Sequence, residues 1–306
     1  MATKTSVLIT GATGFVGAQV ARQCLRDGMQ VTVLSRPASS RTALADVEKQ
    51  ITWQAYDGDY ASMKQALAES RPDIVMHLAS CFLAAHKPGD LDRLVDSNVR
   101  MGLHLAEAMT ENGCRMLINT GTAWQHFHDE PYCPVNLYAA TKQAFDALLK
   151  FYEEAHDLRT VTLKLFDTYG PGDSRAKLLP LLKRVATTNE SLDLSPGEQL
   201  LDFVHVDDVA HAFCRAGERL LAGDEKKNGT AYAISSGAPL SLRDLVTMIE
   251  SVTGRRLPVH LGARPYRPRE VMRPWSTGPI LPGWKPQIGL REGLAEYFGV
   301  FPKKYT

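Results

Sequence analysis

The stretch from Thr10 to Gly17, Thr-Gly-Ala-Thr-Gly-Phe-Val-Gly, constrains this chain more than any other. It follows a short apolar run, Ser6 to Thr10, and leads into an amphipathic one, Val16 to Asp27, so its three glycines lie where a strand becomes a helix. Each glycine has a steric role: Gly11 makes the turn, Gly14 lets phosphates approach the backbone, and Gly17 lets helix and strand pack closely. The free N–H groups and the positive end of the helix dipole attract an anion there. Thr13, Phe15 and Val16 join the glycines as candidate contacts of a dinucleotide pyrophosphate.

Short β-type runs alternate with helical patterns along the first half: Ser6 to Thr10, Gln30 to Ser35, Ile51 to Tyr56, Asp73 to Leu78, Arg115 to Thr120 and Thr160 to Leu165. The amphipathic stretches between them, Val16 to Asp27, Asp92 to Glu111 and Tyr138 to His156, are long enough to be right-handed crossovers between parallel strands. The pattern predicts an α/β fold, a doubly wound parallel Rossmann sheet with a smaller α+β C-terminal lobe for substrate. With 306 residues the chain exceeds one ordinary core. Residues 1–165 are assigned to the dinucleotide domain and 166–306 to the substrate lobe, with 203–215 able to rejoin the first domain.

Lys and Arg number 35 against 34 Asp and Glu, with no long run of either sign, so neither a nucleic-acid partner nor a membrane surface is expected. No apolar stretch reaches the ~20 residues that span a bilayer. The five cysteines, Cys24, Cys81, Cys114, Cys133 and Cys214, are odd in number and lack a C-x-x-C spacing, which fits reduced thiols in a cytoplasmic protein. His77, His126, His128 and His205 do not combine with other ligands at metal spacing, so they read as structural and no metal is expected.

The second strand bears on the choice of cofactor. An acidic residue about 20 positions after the glycines would hold a ribose 2′-hydroxyl, whereas an arginine accepts a 2′-phosphate. This strand ends Leu34-Ser35-Arg36 with no carboxylate at its tip. Ser35 and Arg36, with Arg41 near by, favour NADP(H), leaving NAD(H) as the alternative.

Tyr138 and Lys142 are four residues apart at the start of a predicted helix and so share one face. A nearby ammonium favours the phenolate and makes Tyr138 a plausible acid/base, while Lys142 can also reach the ribose hydroxyls of the cofactor. The preceding strand delivers Thr120 and Thr122 to the carboxyl edge of the sheet, where open α/β folds bind ligands. Thr120 is the first choice for the hydroxyl that polarises a substrate carbonyl; Thr122 is the second choice and a candidate sugar contact.

Taken together, these residues resemble the extended short-chain dehydrogenase/reductase family, the sugar-nucleotide epimerases, dehydratases and reductases. The likeness extends through His77-Leu78-Ala79, Asn98-Val99, Tyr169-Gly170-Pro171, Asp202 to Asp208 and Gly283-Trp284-Lys285-Pro286. It implies that Asp57 and Gly58 flank the adenine, that Leu78, Ala79 and Ser80 line the cofactor, and that Asn98 braces the sheet beside it. It also implies a sugar-nucleotide substrate and a homodimer built from helices around Met101 to Met109 and Tyr138 to Glu154.

Departures from the family pattern narrow the activity. Dehydratases carry an acidic pair behind the catalytic threonine, where this chain has Gly121 and Thr122, so dehydration is disfavoured. Asp167 stands where the family commonly has Asn, and Leu201 where it has Arg, so other cations must meet the diphosphate; Arg175, Lys177, Arg267 and Arg269 are the candidates. Trp124 replaces a usual tyrosine and either stacks on the sugar or plugs the pocket wall. The leading expectation is NADPH-dependent reduction of a keto group, at C4, on a nucleotide-linked deoxysugar. An NAD-dependent epimerase is the alternative, and a non-catalytic NADP-binding sensor stands third.

Overall fold

The computed structural model describes residues 4–188, 190–225 and 229–300. Its centre is a seven-stranded, wholly parallel sheet. In chain order the strands are β1 (Ser6–Thr10), β2 (Gln30–Ser35), β3 (Ile51–Ala55), β4 (Ile74–His77), β5 (Met116–Thr122), β6 (Arg159–Leu165) and, much later, β11 (Thr230–Ile234). Their spatial order is β3-β2-β1-β4-β5-β6-β11. The direction of winding reverses between β1 and β4, and such a reversal opens a crevice at the carboxyl ends of the strands. Thr10 pairs in register with Leu34 on one side and His77 on the other, so the tips of β1, β2 and β4 end level beside that crevice.

Helices cover both faces. On one side α1 (Phe15–Arg26) and α7 (Val206–Ala222) pack against each other over Ile9, Val33, Met76 and Ile118. On the other, α2 (Tyr60–Ser70), α4 (Met101–Glu111) and α5 (Leu137–His156) enclose Leu8, Val75, Leu117 and Phe145. The predicted helix Asp92 to Glu111 is broken up: α3 (Leu91–Val95) runs into a π-turn at Asp96–Arg100 and then α4. Such wide turns often occur beside functional sites.

A third core, built on Leu179, Leu182, Phe203, Leu245, Ile249 and Leu294, organises a smaller lobe. It contains α6 (Leu178–Thr188), α8 (Leu242–Thr253), α9 (Leu290–Phe298) and three strand pairs. These join β7 (Asp167–Tyr169) to β10 (Phe203–His205), β8 (Leu192–Leu194) to β13 (Val259–Leu261), and β9 (Leu200–Leu201) to β12 (Leu240–Ser241). A division at residue 165 does not follow these layers. The chain returns to the large sheet at β11, which pairs along β6 and satisfies backbone groups that would otherwise be exposed at its edge. The return also explains the late motifs: Asp208 accepts the backbone N–H groups of Gln287 and Ile288, each at 3.0 Å, and Trp284 Nε1 donates to the Asp208 carbonyl at 2.9 Å. The Gly-Trp-Lys-Pro segment is thus a clasp that ties the C-terminal part to α7.

Candidate active site

A cleft of about 1260 Å³ runs between the carboxyl edge of the sheet and the smaller lobe. At its sheet end, Gly11 has φ +72°, and a Cβ there would lie 2.5 Å from the Ala79 nitrogen; at Gly17 it would lie 2.2 Å from the Gly11 oxygen. Only glycine fits these two positions. Gly14 caps α1 without a side-chain hydrogen bond, and the first turn carries no acidic residue. The leading N–H groups of α1 are therefore open to an anion, in a cradle that any side chain would fill, and the residues present fit a dinucleotide pyrophosphate.

Gly11, Gly14, Phe15, Val16, Gly17, Leu78 and Ser80 line the cleft, while Thr13 and Ala79 belong to the same turns behind its wall. Ser35 and Arg36 at the tip of β2, and Asp57 and Gly58 after β3, lie outside those walls. The Arg36 side chain is exposed and engages no partner. Arg41, its expected helper, is committed elsewhere, lying 4.2 Å above the Trp53 ring and 3.4 Å from Glu48. Asp57 holds its own turn by accepting from Ser62 Oγ and the Asp59 N–H. Asn98 does not reach the cleft. It is fully buried on the π-turn, where it accepts from Cys81 N at 2.7 Å and Ser80 Oγ at 3.1 Å and donates to Thr141 Oγ1 at 2.9 Å. It ties the loop after β4 to α5.

The start of α5 is set by Asn136, whose side chain accepts from Ala139 N at 3.0 Å and so places Tyr138 in the first turn. Tyr138 is half-buried, packs edge-on against Phe82 at 5.0 Å between ring centres, and hydrogen-bonds the Ser80 side chain. Burial pushes its phenol up to about 12, with the Ser80 hydrogen bond and the Arg175 charge pulling the other way. One turn on, Lys142 is wholly buried and its Nζ has no hydrogen-bond partner. Burial lowers its ammonium to about 8, opposed by the charge of Asp146. An orphaned buried ammonium of this kind fits a ribose hydroxyl and a phenolate.

The two threonines differ in what their hydroxyls already do. Thr120 Oγ1 donates to the His77 carbonyl at 2.8 Å, so its proton is engaged within the sheet. Thr122, at the end of β5, accepts from Trp124 N at 3.3 Å and keeps its own proton for another acceptor. Both line the cleft, and of the two it is Thr122 whose hydroxyl proton is left for an incoming acceptor. Trp124 lines the same stretch of wall and meets Phe82 at 5.7 Å. His126, Phe127, Phe166 and Trp275 extend an aromatic surface, with His126 stacked on Trp275 at 4.0 Å.

The four expected cations all line the cleft, yet each is engaged by the protein itself. Arg175 bonds both oxygens of Asp173, at 2.7 and 2.8 Å; Lys177 pairs with Asp167 at 3.6 Å; Arg267 pairs with Glu270 at 3.1 Å. Arg269 donates to the carbonyls of Val135 and Pro134. Among the described residues, the cleft-lining cations with unengaged guanidinium groups are Arg184 on α6 and Arg264 after β13. Sequence reasoning missed both, because Arg184 looks like an ordinary polar position of an amphipathic helix. No group of three or more His, Cys, Asp or Glu side chains that could hold a metal occurs among the described residues, and none of their helices is long and apolar enough to cross a membrane.

A parallel sheet with a glycine cradle at its switch point, opening on a large cleft that the half-buried Tyr138 lines and behind which Lys142 is buried, defines a dinucleotide-binding oxidoreductase fold. The family model of the NAD-dependent epimerase/dehydratase family matches residues 7–234, and the chain belongs to that family. It is similar to the CDP-abequose synthase of Salmonella typhimurium, with 27% identity over 96% of this chain and 97% of that protein. It is also similar to the UDP-glucose 4-epimerase of Mycolicibacterium smegmatis, with 28% identity over 97% and 98% of the two chains. Among solved structures, the Thermus thermophilus UDP-glucose 4-epimerase in complex with NAD superposes with a TM-score of 0.81, at 25% identity over 96% of this chain and 98% of that one.

Proposed function

We propose that this protein is an NADPH-dependent reductase acting on a keto group, at C4, of a nucleotide-linked deoxysugar. The observation that carries the reading is the tip of β2, where an unengaged Arg36 stands and no carboxylate is present to hold a ribose 2′-hydroxyl. A 2′-phosphorylated dinucleotide that exchanges each turnover suits a net reduction better than a retained NAD. The similarity to a protein named CDP-abequose synthase supports a nucleotide-linked sugar as substrate, and the aromatic wall suits a sugar that has exchanged hydroxyls for methyl and methylene groups.

A dinucleotide held by the glycine cradle and Lys142 would supply hydride for the carbonyl carbon. Thr122 orients the carbonyl oxygen through its free hydroxyl proton, and Tyr138 donates the proton that the oxygen acquires. A phenol is protonated at neutral pH and burial raises this one further, so Tyr138 rests in the form an acid needs. The Lys142 ammonium then stabilises the phenolate left behind and holds the ribose. Arg184 and Arg264 meet the diphosphate. Leu91, Val95, Leu103 and Phe151 leave apolar side chains exposed on α3, α4 and α5, with Phe151 58% exposed, and a second copy of the chain covering that face would form a homodimer.

The test is to denature the purified protein, identify any released dinucleotide, and titrate the empty protein with NADPH and NADH. An empty site that prefers NADPH by ten-fold or more, about 1.4 kcal/mol, is the expected result. Retained NAD with weak NADPH binding would favour the epimerase reading, for which the similarity to UDP-glucose 4-epimerases speaks.

A further inference from the structure

Behind the cleft, on the side of β5 away from β4, lies an array of polar side chains that the proposed reaction does not use directly. Its centre is Asp146 on α5, one turn after Lys142 and two after Tyr138, so the three share one helix face. Asp146 does not line the cleft, and its side chain is only 16% exposed. Its Oδ1 accepts from Asn119 Nδ2 on β5 at 2.8 Å and its Oδ2 from Gln125 Nε2 at 2.8 Å, with Lys164 Nζ of β6 at 3.9 Å. The same Gln125 side chain accepts the backbone N–H of Thr122 at 2.9 Å. Gly121 makes room for it, since a Cβ there would lie 2.9 Å from Gln125 Oε1.

We propose that Asp146 is a positioning residue for the redox site: its carboxylate backs Lys142 from the next turn of α5 and, through Gln125, holds the strand tip that presents Thr122. The proposal rests on the role given above to Tyr138, Lys142 and Thr122.

The charges around the pair support this. The charged and titratable groups that act on Lys142 are His77 on β4 and Asp146 one turn along its own helix. Burial holds His77 far below its ordinary value, at about 3, so that ring is neutral and contributes no counter-charge. Asp146 is the anion that Lys142 feels. Asp146 in turn faces Lys164 and Lys142 as cations, and Asn119 and Gln125 as neutral donors. Burial raises its carboxyl above the ordinary value, with Lys164, Gln125, Lys142 and Asn119 each pulling it back, and both of its oxygens accept hydrogen bonds, as those of a carboxylate do. Lys164 is secured from behind, because its ammonium donates to His126 Nε2 at 2.7 Å while His126 Nδ1 donates to the Glu130 carbonyl at 3.0 Å. Both nitrogens of that imidazole are used, which fixes a neutral ring stacked on Trp275. The arrangement places one carboxylate where it serves the helix and the strand that carry the site.

The test needs no substrate. Titrate the full-length, cofactor-free protein carrying ¹³C-labelled lysine, identify the Lys142 signal by its loss in Lys142→Arg, and repeat with Asp146→Asn and Asp146→Glu. The Lys142 midpoint is expected to fall by about one pH unit or more in Asp146→Asn and to stay near the wild-type value in Asp146→Glu. A midpoint that does not move in Asp146→Asn overturns the proposal, as does an equal fall in Asp146→Glu. If the amide variant does not fold, Asp146→Ser, which admits water in place of the carboxylate, carries the same test. Because the readout is a titration and not turnover, its failure is distinct from failure of the reductase reading, which appears as absence of net NADPH consumption.

Discussion

Replacing Lys142 by methionine should make the cofactor-free protein more stable while destroying its activity. The ammonium is wholly buried with no hydrogen-bond partner, and its pKa drops from the ordinary 10.5 to about 8. At roughly 1.4 kcal/mol per pH unit, keeping that charge inside costs the fold about 3 kcal/mol at pH 7. Methionine keeps the unbranched stem and removes the charge. The sign with pH is definite: between pH 8 and 10.5 the folded chain binds fewer protons than the unfolded chain at this site, so wild-type stability rises with pH there. The advantage of Lys142→Met should therefore shrink from about 3 kcal/mol at pH 7 to about 1 kcal/mol at pH 10. Urea unfolding of both proteins at the two pH values, followed by circular dichroism, measures it. A variant no more stable than wild type at pH 7, or an advantage that does not change with pH, would refute the argument that Lys142 is a charge held at the expense of stability.

Thr122→Ala should lower turnover by about 100-fold, the effect of losing one donor to a developing oxyanion. Thr120→Val should leave turnover within a few-fold of wild type but cost about 1 kcal/mol of stability, since it removes the hydrogen bond to the His77 carbonyl. Steady-state kinetics and urea melts on the two variants separate these roles. Arg184→Ala and Arg264→Ala should each raise KM about ten-fold with little change in kcat, because a diphosphate contact contributes equally in ground and transition states. Variants whose KM equals that of wild type would return the diphosphate to Arg175, Lys177, Arg267 or Arg269.

The parallel sheet was legible because its first six strands are short apolar runs, with stretches of helical period long enough for a crossover after β1, β4 and β5. β11 was not, since Thr230–Ile234 lies after the irregular lobe and nothing local marks it as a neighbour of β6. Gly11 and Gly17 of the cradle could be read from sequence, as each meets a steric demand that the structure also shows. Tyr138 and Lys142 followed from helical spacing. Which of Thr120 and Thr122 keeps a free hydroxyl proton did not, because it depends on whether that proton is used by a carbonyl on the next strand. For the same reason Arg175, Lys177, Arg267 and Arg269 looked available: their partners Asp173, Asp167, Glu270 and the Val135 carbonyl are spatial neighbours that composition cannot assign. Asp146 was invisible for lack of any signal beyond its place one turn after Lys142.

The most direct test of the reductase account is the stoichiometry of turnover. The protein is mixed with NADPH and a nucleotide-linked 4-keto-deoxysugar, and NADPH loss is followed by absorbance alongside product analysis by mass spectrometry, for wild type and Tyr138→Phe. The account predicts one NADPH oxidised per carbonyl reduced, with Tyr138→Phe slower by about 100-fold or more while still binding the cofactor. Interconversion of 4-epimeric sugar nucleotides by a protein that retains NAD and consumes no NADPH would contradict it.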